Sequence, residues 1–194
     1  VPPTPPPERP TPDPPQLTAA PRIPSLLHVK LGLSVIGHLA GVPAYIGGGF
    51  SLQVGVRLHS LFFEISPQWE AQQVSAPVRL TDFEMHNFGV SSVLGVRVWD
   101  APEGALEVAL GALILLEDQT YRPDAEEVGG TLIDGQITAF ARLLWGPDPL
   151  RFSVRMELII APARLAHEAR IRDILPPLPS FGVGMTFGAH WESS

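Results

Sequence analysis

Apolar and polar residues alternate along most of this chain with a period of two. Between residues 50 and 58 every second position is apolar, and serine, glutamine, glycine and arginine fill the positions between. After His59 and Ser60 the alternation resumes in the opposite parity as far as residue 69. Such alternation is typical of a β-strand with one apolar face, and two residues suffice for a hairpin turn. This stretch therefore predicts two antiparallel strands joined by a tight turn.

The same period recurs often enough to predict eight strands and no competing helix. The eight runs are residues 27–35, 50–58, 61–69, 88–98, 106–116, 136–145, 150–160 and 181–191. Each is roughly 9–12 residues long, which is the length of a tilted strand that crosses a bilayer. Strands of soluble proteins are shorter, about 5–6 residues.

The connections between these runs alternate between short and long. The short connections at one rim are residues 59–60, 100–104 and 146–149. At the other rim the long ones are 72–80, 117–132 and 161–179, the last with a candidate helical turn over 161–172, and only the first link, around 41–45, is short. Short turns at one rim and long loops at the other are typical of membrane barrels. We therefore predict an all-β fold: an eight-stranded antiparallel up-and-down transmembrane β-barrel with both termini at the short-turn rim.

Residues 1–25 differ in composition from the rest, because they hold half of the 22 prolines. Such a segment lacks the apolar residues of a core, and we expect a disordered, semi-rigid spacer of polyproline II type that spans roughly 70–75 Å. The predicted domain organisation is a proline-rich linker or tether over 1–25 and a barrel over 26–193.

The overall composition fits a chain with little contact with water. Only 17% of the residues are charged, against about 25% in ordinary soluble domains, and the mean hydropathy is +0.17. No apolar run reaches the ~18–20 residues of a membrane helix. The net charge of −7 argues against nucleic acid as a partner. Since the first residue is Val1, we expect either a mature form after removal of a signal peptide or a C-terminal fragment.

The last predicted strand, FGVGMTFGAHW, resembles the C-terminal signal of Gram-negative outer-membrane barrels, with Gly188 and Trp191 in matching places. The chain departs from that signal by continuing to Glu192, Ser193 and Ser194. With the strand count and the turn asymmetry, the chain resembles small eight-stranded outer-membrane β-barrels, most closely those of myxobacterial type. The resemblance implies a location in the outer membrane. Barrels of this kind serve as anchors, adhesins or occasional lipid-modifying enzymes, so the fold alone does not select a function.

Alternation does not say which face points inward. A soluble lipocalin-like barrel that carries a small hydrophobic ligand has the same period with the opposite sense, although this chain lacks a lipocalin-type Gly-x-Trp near its first strand. Two observations favour an apolar face toward lipid. The polar face is rich in small residues, which suit a narrow lumen. Aromatic residues fall near the ends of the apolar faces, as in interfacial girdles: Tyr45, Phe50, Trp69, Phe88, Trp145, Phe181 and Trp191.

The polar faces carry charges of both signs, which fall in the half of the lumen near the short turns. The predicted lumen charge network comprises Lys30, Arg57, Glu64, Arg97, Glu107, Arg142, Arg151, Arg155 and Glu157. Around the ring the order is Arg57, Glu64, Arg97, Glu107 and Arg142, so that signs alternate between neighbouring strands, and Glu157 can pair with Arg155 or Arg151. Buried charges persist when they are paired, and eight strands leave room only for side chains. We expect a closed plug.

Three histidines, His28, His59 and His190, lie near the short-turn rim on strands that become neighbours when the barrel closes. Three imidazoles suit zinc or nickel, or a pH-sensitive latch, but Lys30 and Arg57 would oppose a cation. We regard this set as a weak candidate and otherwise expect no metal and no cofactor.

The long loops offer further candidate chemistry. A lipid-modifying enzyme needs a Ser–His–acid set, for which His86, His167, Ser75, Glu84, Glu168 and Asp173 are available; their spacing singles out no nucleophile, and we expect no catalysis. The acidic stretch 117–135 lacks the ligand spacing of a calcium loop. The expected partners are membrane lipid, including lipopolysaccharide at the basic last loop, and cell wall or envelope proteins through residues 1–25. The expected role is structural, anchoring or surface interaction.

Overall fold

The computed structural model describes residues 27–40, 44–75, 83–121, 128–167 and 181–193, and within them the chain forms one closed barrel. The strands are β1 Leu27–Ala40, β2 Ala44–Leu58, β3 Leu61–Ser75, β4 Phe83–Ala101, β5 Gly104–Tyr121, β6 Val128–Trp145, β7 Leu150–His167 and β8 Phe181–Glu192. Each strand pairs antiparallel with the next, and β1 pairs with β8. The predicted fold class is confirmed. The described residues include no helix long and apolar enough to cross a membrane.

Tight turns lie at one rim, as predicted. His59 and Ser60 form the turn between β2 and β3, and His59 has a φ of 56°, in the left-handed region that is uncommon for a residue with a Cβ. Residues 102–103 and 146–149 form the other two turns. Leu27 lies opposite Leu58, and Lys30 lies opposite Glu192. The first and last strands therefore meet at the short-turn rim.

The strands are longer than the alternation predicted, with 12 to 19 residues. Most of the additional residues lie at the end away from the short turns, where outward-facing Glu84, His86 and Asp118 are exposed. Once the outward face becomes polar, the apolar–polar period vanishes although the hydrogen-bonded ladder continues. For the same reason, the expectation of a loop with a helical turn from residue 161 is wrong as far as His167, because Ala161 to His167 belong to β7.

The apolar face points outward. Leu110 is 66% exposed, whereas Glu107 on the same strand is fully buried. Leu52 is likewise exposed and Arg97 is buried. A barrel that carries a hydrophobic ligand needs its apolar face inside. In this barrel the described part of the lumen is filled largely with polar side chains. The carrier alternative is therefore not compatible with this fold.

A small apolar cluster also lies inside the barrel, formed by Phe62, Val93, Ala109 and Phe140. Phe62 lies over Gly95 on the neighbouring strand, where a Cβ would clash with the phenyl ring and with Ala109. The absence of a side chain at Gly95 thus makes room for an aromatic ring in a narrow lumen.

This packing predicts that Gly95→Ala lowers the free energy of unfolding by about 1–3 kcal/mol, because the Phe62 ring must move. Gly37→Ala is the matched control, since a Cβ on this outward-facing glycine lies 3.7 Å from its nearest neighbour, the Met185 carbonyl oxygen. Urea unfolding of the refolded protein, followed by tryptophan fluorescence, measures both. Equal effects of the two variants would contradict the proposed contact.

Candidate functional site

Three cations and two carboxylates meet in the half of the lumen next to the short turns. This central cluster consists of Lys30, Glu64, Arg97, Glu107 and Arg142, all at most 7% exposed. Arg142 donates to Glu64 through Nη1 and Nη2 at 3.0 and 2.5 Å, and to Glu107 through Nε at 2.8 Å. Lys30 Nζ lies 2.7 Å from Glu64 Oε1 and 2.9 Å from Glu107 Oε1. Arg97 Nη2 donates to Glu107 Oε1 at 2.8 Å.

Strand register produces this cluster. Arg97 lies directly opposite Glu107, and Glu107 lies directly opposite Arg142. Lys30 on β1 and Glu64 on β3 reach the same point from the other side of the ring. Charges this deeply buried are tolerated only when they are paired and hydrogen-bonded, so the interlocked ion pairs hold opposite walls of the barrel together.

Two aromatic rings support the cations of the lumen. Lys30 Nζ lies 4.2 Å from the centroid of the Phe62 ring, and Arg142 Cζ lies 5.4 Å from it. Phe140 contacts Arg142 and Arg155, with Cζ-to-centroid distances of 5.5 and 4.8 Å. Desolvated cation–π contacts of this kind contribute about 2 kcal/mol. The signal in the sequence was that Phe62 and Phe140 interrupt polar faces, but their role was not predicted.

A second group of charges, the rim cluster, lines a cleft of about 320 Å³ at the short-turn end. Its members are Arg57, Asp100, Asp148, Arg151 and Glu192. Arg57 Nε donates to Glu192 Oε1 at 2.6 Å, and Arg97 of the central cluster donates to Glu192 Oε2 at 2.6 Å. Arg151 Nε donates to Asp148 Oδ1 at 2.8 Å. Glu192, noted in the sequence only as a departure from the terminal signal, thus links the two clusters.

Arg57 and Arg151 form their ion pairs at the rim and not within the central cluster. Arg57 was placed beside Glu64, but Glu64 lies opposite Gly55, two positions deeper in the barrel, so Arg57 stays at the rim with Glu192. Arg151 pairs with residues of the turns, Asp148 and Asp100. Of the two partners expected for Glu157, Arg155 is the one that it contacts, at 2.8 Å.

The half of the lumen toward the long loops, the upper lumen, is lined by carboxylates and amides that the sequence analysis did not select. Glu70, Asn87 and Glu117 are side by side on β3, β4 and β5, and each is at most 2% exposed. His38 Nδ1 lies 2.7 Å from Glu70 Oε2. These positions had been assigned to loops or lay beyond the recognisable alternation.

The three candidate metal-binding histidines do not converge. His28 Nδ1 lies 2.6 Å from the carbonyl oxygen of Ser193, and His190 Nε2 lies 2.8 Å from Ser153 Oγ inside the lumen. His59 is exposed in its turn. Among the described residues no group of three or more histidine, aspartate or glutamate side chains is arranged to hold a metal ion. The suggested three-imidazole site is therefore not formed.

The candidate catalytic residues are scattered. His86 and Glu84 lie on the exposed, outward face of β4. Ser75 and His167 occupy the last positions of β3 and β7. Glu168, Asp173, the proline-rich segment 1–25 and most of the last long loop lie outside the described residues. The described part of the chain thus supplies no assembled Ser–His–acid set.

Comparisons with known proteins identify the fold class. No protein-family model and no curated protein matches the chain. Among solved structures, Ail of Yersinia pestis, the attachment invasion locus protein, matches with a TM-score of 0.54 at 14% identity, over 86% of this chain and 98% of that one. A structure of Ail with the heparin analogue sucrose octasulfate gives a TM-score of 0.56 at 14% identity, over 87% and 100% of the two chains.

Two further structures match with lower scores. Neisserial surface protein A matches with a TM-score of 0.50 at 11% identity, over 86% of this chain and 97% of that one. The N-terminal β-barrel domain of Pseudomonas aeruginosa OprF matches with a TM-score of 0.50 at 8% identity, over 84% and 97%. All are small barrels of the outer-membrane class. At these identities the likeness concerns the fold, and this chain has the fold of the small eight-stranded outer-membrane β-barrels.

Proposed function

We propose that the protein resides in a Gram-negative outer membrane as a closed barrel with a structural, anchoring or surface-interaction role and without catalysis. The observation that carries the proposal is the continuous band of exposed aliphatic side chains around a lumen crossed by buried ion pairs. A soluble protein rarely exposes apolar patches larger than a few hundred Å², whereas lipid accommodates such a band.

Aromatic side chains bound this band at two levels. Phe50, Trp69, Phe88 and Phe181 lie toward the long loops, and Trp99, Trp145, Phe152 and Trp191 lie toward the short turns; all but Trp69 are exposed. Along β8, Phe181 and Trp191 are ten residues apart, which corresponds to about 24 Å for a strand tilted by ~45°. That height agrees with the ~25 Å apolar band of outer-membrane barrels.

The strands continue beyond the upper aromatic level. There the outward positions are polar and include Glu84, His86 and Asp118. This change supports an orientation in which the long-loop end stands outside the hydrocarbon. Short turns, and with them the proline-rich segment, then face the periplasm, where residues 1–25 can reach cell wall or envelope proteins. The resemblance to barrels of myxobacterial type stays a prediction.

The long-loop end is the proposed surface for interactions outside the membrane. Ail has been solved with a sulfated heparin analogue, but Glu84 and Asp118 of this chain would repel a polyanion. Lipopolysaccharide is also a polyanion, so the proposed contact is with the basic last loop and not with Glu84 and Asp118.

Refolding in detergent or lipid tests the proposal. We expect a heat-modifiable band on a denaturing gel, because a closed ladder of backbone hydrogen bonds resists detergent until it is boiled. Channel recordings in planar bilayers should show no persistent conductance, because the central cluster fills the lumen. A monodisperse protein that needs no detergent would exclude the membrane location, and a steady open current would exclude the plug.

A further inference from the structure

The cleft at the short-turn rim is a cavity to which the proposed function assigns no ligand. Its volume is about 320 Å³, which lies at the small end of the roughly 300–1,000 Å³ of small-molecule sites. Charged side chains of both signs line it, and Ala101 and Pro102 add an apolar stretch of wall. Such a lining suits a small ligand with one charged end and a compact apolar remainder.

Two arginines reach this cleft from the lumen. The side chain of Arg151 is 7% exposed and that of Arg97 is 3% exposed, so both guanidinium groups are largely withdrawn from water. Arg151 Nε donates to Asp148 Oδ1 at 2.8 Å, and Arg97 Nη2 donates to Glu192 Oε2 at 2.6 Å. These short bonds fix both guanidinium groups at the wall of the cleft.

Asp100 lies between the two arginines without a tight bond to either. Its Oδ2 is 3.3 Å from Arg97 Nη1, and its Oδ1 is 3.5 Å from Arg151 Nη1. Charge-assisted hydrogen bonds between a guanidinium and a carboxylate are usually about 2.7–2.9 Å long. The Asp100 side chain is also 48% exposed, so water can solvate it when it turns outward. Asp100 therefore occupies, loosely, a position in which the carboxylate of a ligand can replace it.

The other carboxylates of the rim limit the charge of such a ligand. Glu192 accepts bonds of 2.6 Å from both Arg57 and Arg97 and is only 14% exposed, so it stays in place. Asp148 keeps its own arginine partner. These carboxylates would repel a phosphate dianion or another polyanion bound between the arginines, whereas a single carboxylate has the charge of the group that it replaces. The electrostatics therefore favour a monocarboxylate.

We propose that the rim cleft binds the free carboxylate at the end of a short peptide. This carboxylate takes the place of the Asp100 side chain and accepts a hydrogen bond from Nη1 of Arg97 and of Arg151. A small side chain of the peptide then packs against Ala101 and Pro102. The choice of a peptide rests on the proposed function, because that function turns this rim toward the periplasm and the peptides of the cell wall.

Titration of D-alanyl-D-alanine into protein refolded in nonionic detergent tests the proposal, with the Nε–H signals of Arg97 and Arg151 in NMR spectra as the readout. We expect saturable shifts of both signals. The C-terminal amide of the same dipeptide and inorganic phosphate should each bind at least about tenfold more weakly, because the first lacks the carboxylate and the second carries excess charge.

Two variants should change the affinity in opposite directions. Arg151→Met should weaken binding of the dipeptide at least about tenfold, measured at the Arg97 signal. The barrel should stay folded, because this variant removes only ion pairs with exposed carboxylates. Asp100→Asn should tighten binding about threefold, because the competing charge is lost. Asp118→Asn, on the outward face near the other end of β5, is the control and should leave the affinity unchanged.

Four results would each overturn the proposal: no shift with the dipeptide, an equal or higher affinity for phosphate or the amide, unchanged binding in Arg151→Met, or weaker binding in Asp100→Asn. A barrel with heat-modifiable migration but no binding would overturn this inference alone, so its failure is distinguishable from failure of the proposed function.

Discussion

Arg142→Met is expected to lower the free energy of unfolding by about 3–5 kcal/mol, the largest effect of any single substitution considered, because it leaves buried carboxylates without their main partner. Arg142 is completely buried and donates to both Glu64 and Glu107. Lys30 and Arg97 then remain as the cations near two carboxylates. Urea unfolding in lipid vesicles, followed by tryptophan fluorescence, measures the loss.

Arg151→Met provides the control within the same lumen. The Arg151 guanidinium pairs with Asp148 and Asp100, whose side chains are 65% and 48% exposed. Since water can solvate these carboxylates when the arginine is removed, we expect a loss of less than about 1 kcal/mol. If both variants lost the same stability, the central cluster would not be the element that ties the walls together.

Leu110→Arg is expected to destabilise the membrane-inserted barrel by about 2–4 kcal/mol, the range for a cation at the bilayer midplane of such barrels. Leu110 lies midway along β5 between Gly104, which is opposite Trp145, and Leu116, which is opposite Phe88. These two aromatic residues mark the lower and upper edges of the apolar band. The free energy of unfolding from lipid vesicles measures the effect.

Asp118→Arg, eight residues further along the same strand, should cost less than about 1 kcal/mol, because Asp118 lies above the upper aromatic level where water or headgroups solvate a charge. A soluble barrel would tolerate both arginines equally. A difference that depends on depth is therefore specific to insertion in a bilayer.

Much of the fold could be predicted because the outward face alternates so regularly within the apolar band. The same alternation assigned Arg97, Glu107 and Arg142 to inward positions on neighbouring strands. Because inward residues at one level of neighbouring strands must meet, their contact could be predicted. The prediction failed where the parity signal ends. Glu70 and Glu117 lie above the band, where outward residues are polar and inward residues cannot be recognised by contrast.

Contacts that depend on the strand register around the closed barrel could also not be predicted from the sequence. Glu192 contacts Arg97 and Arg57 only because β8 closes against β1 and ends at the rim. Arg142 lies opposite Arg155 on β7, a like-charge pair in register, yet its guanidinium turns toward Glu64 across the lumen. The direction of a side chain in a narrow lumen depends on the inward side chains of all eight strands. The pattern of a single strand does not contain that information.

Quenching of a fluorophore by brominated lipids tests the outward orientation of the apolar face most directly. The chain has no cysteine, so Leu110→Cys and Asp118→Cys each offer a single labelling site. We expect the label at position 110 to be quenched most strongly by bromines near the end of the acyl chains, and the label at position 118 to be quenched weakly at every bromine depth. A label at position 110 that is quenched only by a water-soluble quencher would contradict contact between this face and lipid.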